Sequence, residues 1–174
     1  MLRISLGIAS TAALLAGAST AAHAAGPTDP QIAHIAYTAG NIDIAAAKQA
    51  LARSHNKAVR AFASEMVRDH TAVNDQALAL VKKLKVTPEP NSTSAGLSKQ
   101  AAATLRQLSR MHGRSFDRAY ARNEVAYHKT VNGALTTTLI PSANNGELKS
   151  LLETGLKLFR EHQQHAEHLA ATLK

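Results

Sequence analysis

The sequence predicts an all-α bundle behind an export leader, on three observations. Apolar residues recur at three- and four-residue spacing along four long stretches, as on helices that bury one face. Clusters of proline, glycine, serine and asparagine punctuate those stretches where helices would end. Nowhere does the alternating pattern of a half-buried strand appear.

The leader comes first. Arg3 supplies a positive start, residues 4–18 are an apolar run broken only by small residues, and Ala22-His23-Ala24 offers the small-x-small pattern of a signal-peptidase site. Residues 1–24 therefore read as a Sec signal peptide, cleaved before Ala25, and residues 25–174 as one domain with a proper core. The apolar run is too short for a comfortable membrane span. A lipid anchor has no cysteine to carry it.

In the domain, Thr28 or Asp29 can cap the first helix, with Pro30 tolerated in its first turn. Ile32, Ile35, Ala39, Ile42 and Ala46 then share one face. Ser54-His55-Asn56 is the first break. The second helix has the clearest seam: Val59, Phe62, Met66, His70, Val73, Ala77, Leu80 and Leu84, which puts an imidazole at a core position. Pro88 and Pro90 end it, and a polar, flexible crossover is expected to about Gly96. A short linker helix follows with Leu97, Ala101, Leu105 and Leu108, and Gly113 marks a junction. Phe116, Tyr120, Glu124, Tyr127 or His128, Val131 and Leu135 keep the helical period in the third main helix. Pro141 to Gly146 reads as a loop, and the last helix packs Leu148, Leu151, Leu152, Leu158, Phe159, His162, Ala166 and Leu169. Four main helices and one linker helix make a four-helix bundle.

Composition removes several classes of function. With no cysteine there is no disulfide frame, no thiolate ligand and no thiol chemistry, so any metal must be held by His, Asp, Glu or Tyr. The formal charge is +8, but the basic residues are scattered and aromatic content is 3%, which argues against a nucleic-acid partner. A basic exported surface suits peripheral contact with anionic envelope surfaces, or simple solvation. No Gly-rich phosphate loop, H-E-x-x-H motif or nucleophile elbow is present.

The histidines carry the chemical interest. His70, His128 and His162 fall on or beside the apolar seams of three different helices. Glu124 and His128 share a face at four-residue spacing. Counting back from the turns at ~1.5 Å per residue, Glu124 lies about level with His162, and Asp43 opposite Glu65 within a turn or so of His70. One internal level can thus collect carboxylates and imidazoles, as di-iron carboxylate bundles do. The Glu-x-x-His spacing of those centres is absent, because Glu65 precedes His70 by five and Glu124 precedes His128 by four. That counts against an oxidase more than against metal binding. His34, His55 and His112 carry no specific signal, and His165 and His168 read as solvent-facing.

Two segments, Phe62-Ala63-Ser64-Glu65-Met66-Val67-Arg68-Asp69-His70 and Phe116-Asp117-Arg118-Ala119-Tyr120 with His128 eight residues on, resemble the bacterial domain-of-unknown-function family 4142. Together with His162, Ala166 and Leu169 the resemblance covers about Ile32 to Leu173. It implies a ferritin-like bundle in the cell envelope with no agreed activity, and its recurrent histidines match His70, His128 and His162. Asp43 stands where the family's usual first-helix acid falls, and Glu124 where the family more often has an apolar or amide residue. Members are often labelled outer membrane proteins, but this sequence has no barrel pattern, and the periplasm is the expected location. Two readings follow. One is a periplasmic bundle binding zinc, copper or iron through His70, His128 and His162 with Asp43, Glu65 or Glu124, in metal handling or envelope stress. The other is a metal-free structural or interaction module whose histidines are satisfied by Asp69, Asp117 or Tyr120.

Overall fold

The computed structural model describes residues 26–173, so the leader read in residues 1–24 lies outside the described residues. The described chain is helical, with no strand. Its elements are α1 (Asp29–Arg53), α2 (Lys57–Leu84), α3 (Ser92–Leu108), α4 (Gly113–Ala134), a π-helical turn (Leu135–Leu139), α5 (Ile140–Ser142) and α6 (Gly146–Thr172). No described helix is long and apolar enough to cross a membrane.

Asparagine starts three of these helices. Asn56 accepts the Ala58 and Val59 amides at the head of α2, Asn91 accepts that of Ser94, and Asn145 accepts those of Glu147 and Leu148. Each satisfies donors that a helix start leaves free. The Asn91 cap explains why α3 begins at Ser92, ahead of the flexible crossover that sequence extended to Gly96. Gly96 has open space around its Cα and is simply tolerated inside the helix. At the junction before α4, Gly113 adopts φ +53°, a conformation that glycine takes without strain.

The second departure is at Pro141. Helical structure runs on to Ser142, and the loop is confined to Ala143–Asn145. Proline has no amide to donate, and its ring crowds the carbonyl four residues earlier. The chain meets that demand by widening into the π turn just before it. Thr136 and Thr137 hydroxyls bond the carbonyls of Asn132 and Gly133 there.

Polar ties give the helix directions. The Glu89 amide bonds the Pro30 carbonyl and Asn91 Nδ2 bonds that of Gln31, so α2 ends beside the start of α1. Gln49 and Arg53 reach the carbonyls of Leu105, Ser109 and Met111, so α3 ends beside the end of α1. Asp29 accepts the amides of Asn144 and Asn145 at 2.9 Å each, which sets α6 parallel to α1. Helices α1, α2, α4 and α6 form the bundle, and α3 is the single long crossover that lets α2 and α4 run parallel. That is the connectivity of ferritin-like bundles.

The bundle has two unlike halves. The base, at the α1–α2 turn, is filled by Phe62, Met66, Phe116 and Tyr120, all fully buried. Phe62 meets Tyr120 edge-on and Phe116 lies parallel to it, each pair with centroids 6.2 Å apart. The crown, where α1 and α6 begin, is built from Ile32, Ile35, Leu135, Leu139, Leu148 and Leu152, and borders a cavity of about 570 Å³ that is partly open to solvent. It is a space to be occupied by water or by a guest.

Candidate metal centre

Asp43, His70, Glu124, His128 and His162 meet on the bundle axis between the two halves, each no more than 3% exposed. Each comes from a seam position of α1, α2, α4 or α6. One turn before Asp43 the Asn74 side chain of α2 packs against Gly40 of α1: a Cβ there would lie 2.2 Å from it, so a larger residue would displace Asn74.

The spacing of these groups is looser than hydrogen bonding and would suit shared metal ligands. Asp43 Oδ2 lies 3.5 Å from His70 Nε2 and 3.5 Å from His128 Nε2. Those distances are too long for hydrogen bonds, and all three atoms lack a partner. Metal bonds of 2.0–2.1 Å in tetrahedral array would separate their ligands by about 3.3 Å. One ring nitrogen each from His70, His128 and His162 also falls within 4.8 Å of the others, as do atoms of Asp43, Glu124 and His128.

Two of the imidazoles are oriented from behind. His162 Nε2 donates to Asp69 Oδ2 at 3.0 Å, which leaves a buried, unpartnered Nδ1. His128 Nδ1 donates to the Glu124 carbonyl at 3.0 Å, which leaves Nε2 towards Asp43. In metal sites a second partner of this kind fixes the tautomer and aims the free lone pair. Phe159 stacks flat on His70 at 4.6 Å and holds the third ring.

Burial decides the charges. It lowers His70 well below the usual histidine range, helped by the charges of His128 and His162, and it lowers His128 to about 4. It also lowers His162, with Asp69 opposing. These rings are neutral and ligand-competent at neutral pH. Burial raises Asp43 to about 7 and Glu124 well above its usual value, the latter reinforced by Asp43. Side by side, the two carboxylates would repel if both were ionised, and one proton shared between them would relieve that. A divalent cation would replace that proton.

Glu65 stands apart from the buried group. It is half-buried, bonds His165 Nδ1 at 2.7 Å, and groups with Asp69 and His162 on the outer side of the centre. Tyr120 and Asp117 do not reach the histidines: the Tyr120 hydroxyl and Asp117 Oδ1 have no partner. Asp69 is the residue that sequence named only as an internal partner and that here aims a candidate ligand. Its adjacency to His70 masked the role, because it points to a different helix.

A family model described as Domain of unknown function (DUF4142) matches residues 14–169. The chain belongs to that family. The match takes in all five buried site residues and both segments on which the resemblance rested. No curated protein matches the chain. No solved structure matches it.

Proposed function

We propose that this DUF4142 protein is an exported, periplasmic bundle that holds one transition-metal ion, zinc, copper or iron, between its helices. His70, His128 and His162 with Asp43 are the ligands, and Glu124 is the adjacent carboxylate. The observation that carries the reading is the pair of 3.5 Å separations between unpartnered, buried ligand atoms, with two imidazoles aimed from behind. Imidazole and carboxylate suit all three metals. Metal handling or envelope stress is the role such a site would serve. The Sec leader supports export, and the scattered basic charge would allow peripheral contact with anionic envelope surfaces. No nucleic-acid partner is proposed. The missing Glu-x-x-His motif speaks against an oxidase.

A metal-free structural or interaction module is the second reading, and one contact favours it: the Asp69–His162 hydrogen bond is complete without a metal. Thermal melting of His70→Ala, His128→Ala and His162→Ala separates the two. The metal reading expects each variant to lose metal and to melt below the wild type only without chelator. Equal losses with and without chelator, or metal retained by all three variants, would establish the second reading instead.

A further inference from the structure

The crown cavity touches the metal centre only at its inner end. Its walls run from Gln31 to Gly40 on α1, His70 to Val81 on α2 and Leu148 to Phe159 on α6. At 1.5 Å per residue these stretches are roughly 14–17 Å long. Spread over that length, about 570 Å³ gives a mean cross-section of roughly 35 Å². The space is long and mostly apolar, and wide enough to admit an extended hydrocarbon chain. No Asp, Glu, Lys or Arg lines it. Inward-facing small residues, Ala36, Ala39, Ala77 and Gly155, keep it open.

The two ends differ. At the outer end Asn91 is already committed, bonding the Ser94 amide and the carbonyls of Gln31 and Glu89. At the inner end both ring nitrogens of His70 and Nε2 of His128 are buried and without partners. A polar group on the guest is therefore wanted inside rather than at the mouth.

We propose that the crown cavity binds a free, unbranched fatty acid of medium length, its chain along the bundle axis and its carboxyl group at His70 and His128. The acid O–H donates to one imidazole nitrogen and the carbonyl accepts from another, which satisfies the stranded ring atoms. A phospholipid or lysolipid cannot bring its headgroup to that buried end. The carboxyl group takes His70 and His128 nitrogens that the metal reading also uses, so the fatty acid binds the metal-free protein and would compete with a bound ion; the inference stands whether or not an ion ever occupies the centre.

Calorimetric titration of dodecanoate into the chelated mature protein tests it, with butyrate and lauroyl-lysophosphatidylcholine as comparators and metal content measured on the same samples. Saturable dodecanoate binding is expected, with both comparators weaker by at least about tenfold. Ala77→Phe intrudes on the cavity and should weaken dodecanoate by about tenfold or more with metal uptake unchanged. Ala39→Leu, a smaller intrusion from α1, should weaken it less, and it carries the test if Ala77→Phe lacks a cooperative melt. Absence of saturable dodecanoate binding, indifference to a folded cavity-filling variant, or lysolipid binding as tight as dodecanoate would each overturn the proposal.

Discussion

The base and the crown of this bundle are built from the same four helices and the same heptad-like spacing, yet one is solid and the other hollow. In the base the inward positions carry Phe62, Met66, Phe116 and Tyr120, and nothing is left over. In the crown the equivalent positions carry Ala36, Ala39, Ala77 and Gly155, and seam residues such as Val73 and Leu80 stay half-buried. Helical period decides which side faces inward, whereas side-chain volume decides whether that inside is filled. The proposed metal centre sits at the boundary, backed by the solid half and open to the hollow one. Stability should therefore reside in the base, and function at the boundary and in the crown.

Truncation tests this division most strongly. Phe62→Ala should cost about 3–5 kcal/mol in equilibrium denaturation, because its close-packed neighbours cannot collapse into the space. Leu152→Ala, in the cavity wall, should fall near the lower end of the range for such changes, about 2 kcal/mol. Equal costs would mean that the crown is as tightly packed as the base.

A smaller effect isolates the boundary. Chelated protein with Asp43→Asn should lose stability as pH falls from about 6.5 to about 4. Over that window the unfolded chain protonates His128 and the folded chain does not, a loss on the order of 3 kcal/mol. In the wild type Asp43 opposes this: raised from 3.8 to about 7, it gives stability on the acid side that is lost as pH rises through 7. The wild-type profile should be the flatter of the two. Identical profiles would show that Asp43 is an ordinary ionised carboxylate.

The smallest effect should not distinguish the halves. Asn56→Ala at the base and Asn145→Ala at the crown each remove a cap accepting two amides, and each should cost about 1 kcal/mol. A much larger cost at Asn145 would show that the start of α6 also governs the cavity.

Much of this was legible in the sequence, for identifiable reasons. Periodicity put His70, His128 and His162 inside because a helix seam has only one sense. Counting from the turns brought Asp43 opposite Glu65, within a turn or so of His70, and Glu124 level with His162. What stayed hidden depended on volume and on side-chain direction. Val73, Ala77 and Leu80 looked like filled core, although the small residues at 36, 39 and 155 left less volume there than the base has. Glu65 shared a level with the centre but faces outward to His165, while Asp69 turns to His162. The π turn before Pro141 could not be read, because a proline marks strain without saying how the preceding helix will absorb it.

The most direct test of the central claim is elemental analysis of the mature protein, recovered from the periplasmic fraction without a polyhistidine tag and without chelator. The account predicts close to one zinc, copper or iron per chain, lost together with the His128 Nε2 ligand in His128→Ala. Protein free of all three metals, with no thermal shift on adding any of them, would contradict it.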